Sequence, residues 1–112
     1  MAHAPKYAIA EEIISERIRQ DQKWGEQNHP DGTGPDWPAI PIGGSFTKDR
    51  ADMARRACQS AASHGTVTWH HILAEEFAEA MAEADPVALR AELIQAAAVC
   101  AAWVEAIDRR PS

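Results

Sequence analysis

The sequence predicts an all-α fold, a four-helix bundle forming a single domain over residues 1–112. Ala, the residue with the highest helix propensity, occupies 23 of the 112 positions. No segment alternates apolar and polar residues as a half-buried strand would. Because so many apolar side chains are small and only 6% of residues are aromatic, one copy can bury little apolar area. We therefore expect a homodimer or a homotetramer.

The first predicted helix begins near Pro5 and ends before Gly25, because Pro favours the first helical turn and Gly favours the position after the last. Its apolar residues recur at helical spacing: Ile9, Ile13, Ile14 and Ile18. A segment rich in Pro and Gly follows over about residues 25–46. Loops of this length in a compact domain are either functional covers or disordered linkers. The large apolar residues of the segment favour an ordered covering loop: Trp37, Ile40, Ile42 and Phe46.

Three further helices are predicted from residues that typically begin and end helices. The second spans 48–65 and ends at Gly65, the third spans 68–84, and the fourth spans 86–110 and begins with Pro86. The candidate N-caps are Ser45 or Thr47, Thr66 or Thr68, and Asp85. Because the turn between the last two helices is short, they are predicted to be antiparallel neighbours.

The charge of the chain limits its partners. A net charge of −6 excludes a nucleic-acid polymer or an anionic membrane as the main partner, but it allows a single nucleotide held through a divalent cation. We find no apolar run near the roughly 20 residues of a membrane span and no signal-peptide core, so we expect a cytoplasmic protein. Cys58 and Cys100 are interpreted as small buried apolar residues in a reducing compartment.

Glutamates on the apolar stripes of the last two helices are the main chemical signal. Helical geometry places Glu76 and Glu92 within these stripes, with Glu79 and Gln95 one turn later on the same flank. Burying ionised carboxylates costs several kcal/mol or more, so either Arg or Lys side chains or a divalent cation must neutralise them. Mg²⁺ binds a few carboxylates together with phosphates and water. The simpler alternative is a solvated acidic stripe on a surface helix.

Two stretches of the sequence resemble a known protein family. The run EEFAE at 75–79 and the run AELIQ at 91–95 resemble the EExxE…ExxD signature of the MazG-like, all-α nucleoside triphosphate pyrophosphatase superfamily. The opening stretch ERIRQDQKWGEQNHPDGTG resembles the N-terminus of small MazG-like proteins from actinobacteria and their phages. Together these stretches cover about half of the chain.

The resemblance implies hydrolysis of a nucleoside or deoxynucleoside triphosphate to the monophosphate and pyrophosphate. Glu76, Glu79 and Glu92 would bind Mg²⁺, or Mn²⁺ in its place, with Gln95 where the signature has Asp. Glu75 and Glu76 would be the catalytic pair, with Glu75 orienting or deprotonating the attacking water. Since an amide carries no charge and cannot act as a base, Gln95 leaves a second hypothesis open. That hypothesis is a non-catalytic module of the same descent, which binds a nucleotide or a partner.

Several other residues are candidates for binding the nucleotide. Aromatic rings can stack on a base, and amide side chains can form hydrogen bonds to the edge of a base. Basic groups can pair with phosphate. The candidates are Arg17, Trp24, Asn28, His29, Trp37 and Lys48. Each has a structural alternative: the tryptophans would anchor the loop, and Arg17 would form an ion pair with a glutamate. A di-iron site is disfavoured because the chain lacks the Glu-x-x-His pattern, so His70 and His71 are interpreted as polar residues at a helix end.

Overall fold

The computed structural model describes residues 5–37 and 47–111. In these ranges the chain forms four helices and no strand, which confirms the all-α prediction and is consistent with a helical bundle. The helices are α1 (Pro5–Trp24), α2 (Lys48–Ser63), α3 (Trp69–Ala82) and α4 (Pro86–Asp108). Each begins and ends within two residues of its predicted bounds.

The residues that begin and end the helices explain this agreement. The N-caps of α2, α3 and α4 are Thr47, Thr68 and Asp85. Thr68 forms a capping box, because its hydroxyl accepts from the backbone N–H of His71 while the ring of His71 accepts from the backbone N–H of Thr68. Gly25 and Gly65, directly after α1 and after the C-cap of α2, each have φ +69°. That left-handed conformation suits glycine and ends a helix.

The helices pack in the spatial order α1, α4, α3, α2. Contacts join α1 to α4, α4 to α3 and α3 to α2, and within the described ranges α1 and α2 do not touch. The predicted antiparallel pairing of α3 and α4 is confirmed, since Trp69 at the start of α3 stacks on Trp103 near the end of α4. This order leaves a cleft between α1 and α2, with α3 and α4 as its floor.

The core is thin and lies between α3 and α4. Its buried residues are Trp69, Val99, Ala102 and Ala106. Trp69 is 1% exposed, and its ring stacks on that of Trp103 with 6.3 Å between centroids. Small side chains supply most of the remaining buried positions, as the composition suggested.

Large apolar side chains on α1 and on the outward face of α4 stay in contact with solvent. The predicted stripe of α1 does not become a buried face: Ile9, Ile14 and Ile18 are between 43% and 58% exposed. Within the described ranges α1 packs against α4 and against no other helix, which leaves these side chains in contact with solvent. On α4, Leu93 and Val104 are about half exposed. The expectation of a homodimer or homotetramer stays a prediction.

By its length and composition α4 meets the criteria of a membrane span, although we expected no such segment from the sequence. An 18-residue window of α4 has a mean hydropathy of 1.5, and 17% of the window is buried. By length and composition alone this helix is apolar enough to cross a membrane, which the search for an apolar run of about 20 residues did not anticipate. One such helix is weak evidence for a membrane location.

The first part of the long loop is fixed to the helix ends, and we call residues 26–32 the strap. The carbonyls of Pro30 and Asp31 accept from the backbone N–H groups of Trp69 and His70, at 2.9 and 3.0 Å. The ring of His70 contacts the carbonyl of Gly32 at 3.0 Å. These bonds satisfy N–H groups that the first turn of a helix leaves without a helical partner. His70 and His71 therefore serve the start of α3, as predicted.

The other side of the strap binds the end of α4. The carboxylate of Asp31 accepts from the indole N–H of Trp103 at 2.7 Å and from Arg110 at 3.1 Å. Arg109 donates to the carbonyl of Gln27 at 2.8 Å and to the Asn28 side chain at 3.1 Å. The strap is thus bonded to the start of α3 and the end of α4, while the ordered covering loop over about residues 25–46 stays a prediction. Residues 38–46, with Ile40, Ile42 and Phe46, lie outside the described residues.

Both cysteines are free thiols, as predicted, but their environments differ. Cys58 is buried between α2 and α3, whereas Cys100 is exposed. The interpretation of Cys100 as a buried residue is wrong, because it lies on the outward face of α4 with Leu93 and Val104.

Candidate metal centre

Three glutamates from α3 and α4 form a cluster, which we call the carboxylate cluster. Glu76, Glu79 and Glu92 each offer one carboxylate oxygen, and these oxygens lie within 4.8 Å of one another. Glu76 and Glu79 lie one turn apart on α3, and the antiparallel α4 places Glu92 beside them. These are the three acids that the resemblance implies as ligands.

The cluster holds more negative charge than its surroundings neutralise. Among the described residues, Glu76 Oε2 and Glu92 Oε2 are buried and have no hydrogen-bond partner. Burial, together with the nearby Glu79 and Glu92, raises the pKa of Glu76 to about 8. Burial and the nearby Glu79 also raise the pKa of Glu92. Such a site favours either a proton or a bound cation.

An arginine from α2 neutralises one member of the cluster. Arg55 Nε and Nη2 donate to Glu79 Oε1 at 3.2 and 3.1 Å. The same guanidinium lies 3.8 Å from Glu75 and donates to Asp52 at 3.1 Å. Of the two ways of neutralising these acids that the sequence left open, the arginine is observed at Glu79. Oxygens of Glu76 and Glu92 have no partner among the described residues.

Glu75 lies beside the cluster, on the side of α3 that faces α2. Burial raises its pKa, whereas a hydrogen bond from the Cys58 thiol acts in the opposite direction. Burial, with the carboxylate of Glu75 next to it, raises the pKa of Cys58 to about 12. The contacts of Cys58 and Arg55 with these acids were not predicted, because the register of α2 against α3 is not encoded in any local pattern.

A cleft of about 730 Å³ lies next to the cluster, a size typical of small-molecule sites. Glu75 and Glu76 line it, so Glu76 belongs both to the cluster and to the cleft. The cleft also has polar amide and aromatic walls: Gln20, Gln59 and Gln95, with Trp24, His29 and Trp69. Of the predicted ligands, Gln95 is thus placed in the cleft beside the acids.

Two of the predicted nucleotide-binding residues reach the cleft. Trp24 lines it and is 60% exposed, so its ring is accessible. His29, on the strap, packs edge-on against Trp69 with 5.1 Å between ring centroids. Burial lowers the pKa of His29, which keeps its ring neutral at pH 7. Both therefore offer ring surfaces of the kind that a base contacts.

The other four predicted nucleotide-binding residues lie elsewhere. Arg17 forms ion pairs with Asp21 and Glu105, and it lines a separate cavity of about 200 Å³. Its structural alternative, an ion pair with a glutamate, is therefore the one observed. Asn28 is held by Glu26 and Arg109. Trp37 and Lys48 are exposed and are not part of the cleft wall.

Comparisons of this chain with models of known families, with curated proteins and with solved structures found no match.

Proposed function

We propose that this chain is a Mg²⁺-dependent nucleotide pyrophosphohydrolase of the MazG-like type. It would hydrolyse a nucleoside or deoxynucleoside triphosphate to the monophosphate and pyrophosphate. The observation that carries the proposal is the pair of buried, unpartnered oxygens of Glu76 and Glu92, in a cluster that adjoins a cleft of about 730 Å³. Buried acceptors of this kind are costly unless a cation or a proton satisfies them.

The donor set fits the metal that the resemblance implies. Glu76, Glu79 and Glu92 would hold it, with the Gln95 amide oxygen as a neutral neighbour. Carboxylate and amide oxygens are the hard donors that Mg²⁺ and Mn²⁺ prefer, and no sulfur or imidazole belongs to the cluster. A bound divalent cation supplies positive charge that polarises phosphate oxygens and acidifies water.

The chain's own side chains would carry the remaining steps. Glu75 lines the cleft beside Glu76, and its ionised form accepts a proton from the water that attacks the α-phosphorus. The bond between that phosphorus and the oxygen bridging to the β-phosphorus breaks, and pyrophosphate leaves with this oxygen. The Cys58 thiol donates a hydrogen bond to the Glu75 carboxylate and so holds its orientation. Trp24 and His29 contact the base by ring stacking.

The direct test is pyrophosphate release from a panel of canonical and modified nucleoside and deoxynucleoside triphosphates, with Mg²⁺ or Mn²⁺. We expect Glu76→Gln to lower the rate by about 100-fold or more, the scale of losing one preorganised electrostatic group. Glu11→Gln is the control, because Glu11 is exposed on α1. No release from the folded natural chain with any member of the panel would contradict the proposal.

A non-catalytic nucleotide-binding module is the second candidate, and Gln95 is the observation that favours it. This residue lines the cleft with an uncharged amide where the signature has an acid. The variant Gln95→Asp separates the two functions. Turnover in both forms supports the enzyme, whereas nucleotide binding without turnover in the natural sequence supports the module.

A further inference from the structure

One basic side chain, that of Arg55, contacts the carboxylate cluster, and both of its hydrogen bonds to the cluster go to a single oxygen. Arg55 donates to Glu79 Oε1 through both Nε and Nη2, at 3.2 and 3.1 Å. The side chain of Glu79 is 17% exposed, so this oxygen has little access to water. Arg55 therefore neutralises part of the charge on Glu79, a carboxylate that also belongs to the carboxylate cluster.

The same arginine is free to leave at modest cost. Its side chain is 44% exposed, and its Nη1 also donates to Asp52, which is 37% exposed. A long flexible side chain that is half in solvent can exchange its partner without repacking the core. By contrast, Glu76 and Glu92 have buried oxygens with no exchangeable partner among the described residues.

We propose that Arg55 is an internal counter-cation that competes with a divalent metal ion for Glu79. Without metal it neutralises part of the cluster and holds α2 against α3. When metal binds, repulsion between the two positive groups drives the guanidinium away from Glu79. Arg55 thus lowers the affinity for the metal ion and raises the stability of the metal-free chain. The inference rests on the proposed metal centre but not on hydrolysis.

The test is the affinity of Mn²⁺ alone, measured by calorimetry in the absence of nucleotide. We expect Arg55→Met, which keeps an apolar stem but removes the charge, to bind Mn²⁺ about tenfold more tightly than the natural chain. The metal-free variant should also melt at a lower temperature. Arg56→Met is the matched control, because Arg56 is an exposed neighbour on the same helix, and its affinity should change less than twofold.

A second variant keeps the test informative if Arg55→Met does not fold. Arg55→Lys retains the charge but has no planar fork for the two bonds to Glu79, so its Mn²⁺ affinity should lie between those of the natural chain and Arg55→Met. Unchanged or weaker Mn²⁺ binding in both variants would overturn the inference, and so would an equal gain in Arg56→Met. Stronger Mn²⁺ binding without pyrophosphate release in the natural chain would support the inference while contradicting the proposed enzyme.

Discussion

The start and the middle of α3 differ in how their polar groups are satisfied. At the start, the strap supplies carbonyl acceptors for Trp69 and His70, and Thr68 forms a capping box with His71. In the middle, the buried Oε2 of Glu76, like that of Glu92 beside it on α4, has no partner among the described residues. Paired groups hold a structure in place, whereas unpartnered buried charge lowers stability unless a ligand binds. The difference separates the part of α3 that positions the site from the part that can bind.

The largest effect is expected at the start of α3, where the backbone N–H groups have partners although the buried indole N–H of Trp69 has none among the described residues. Trp69 is 1% exposed and lies in the core, so Trp69→Ala should lower the free energy of unfolding by about 3–5 kcal/mol. Chemical denaturation monitored by circular dichroism measures this loss. The control is Trp24→Ala, which removes a ring that is 60% exposed and should change stability by about 0.5 kcal/mol or less. Equal losses in the two variants would show that the start of α3 does not anchor the fold.

The carboxylate cluster should make the metal-free chain less stable as the pH rises. The pKa of Glu76 is raised from 4.5 to about 8, so between these values the folded metal-free chain holds a proton that the unfolded chain has released. Its free energy of unfolding should therefore fall as the pH rises from about 6.5 to 8, by up to about 1.4 kcal/mol per pH unit. Below pH 6.5 protonation of His29, whose pKa is lowered by burial, acts against this trend.

Thermal or chemical denaturation of Glu76→Gln in the absence of metal tests whether Glu76 causes this pH dependence. The variant should show a shallower slope and should be more stable than the natural chain at pH 8, because it removes the charge that burial disfavours. Glu11→Gln, which removes an exposed carboxylate on α1, should keep the natural slope. If Glu76→Gln left the slope unchanged, the cluster would not carry the buried charge described above.

The smallest expected difference tests how closely the strap approaches α3. A Cβ added to Gly32 would lie 2.5 Å from the Oγ1 of Thr68, whereas one added to Gly34 would meet nothing within 4 Å. Both glycines have positive φ, +77° and +88°, so Gly32→Ala and Gly34→Ala share the backbone strain. Gly32→Ala should therefore be the less stable by about 1–2 kcal/mol in the same denaturation assay. Equal stability would mean that the strap can move away from Thr68 freely.

The sequence anticipated much of the site because helical periodicity is a local property. The positions of Glu76 and Glu92 on apolar stripes, and the short turn after α3, were sufficient to predict that the acids meet. Arg55 and Cys58 were not predicted as partners of the acids, because their contacts depend on the register of α2 against α3. The exposure of the apolar stripe of α1 was not predicted either, because periodicity shows that a face is apolar, not whether a neighbour covers it.

By itself, the sequence determined where the four helices begin and end, since capping residues, glycines and prolines act through bonds within a few residues. It also determined that the acids of α3 and α4 lie on apolar faces. Only the tertiary structure decided which charges meet: Arg55 pairs with Glu79, Arg17 with Glu105, and Asp31 with Arg110. These pairs join residues far apart in the chain, and their formation depends on how whole helices pack against one another.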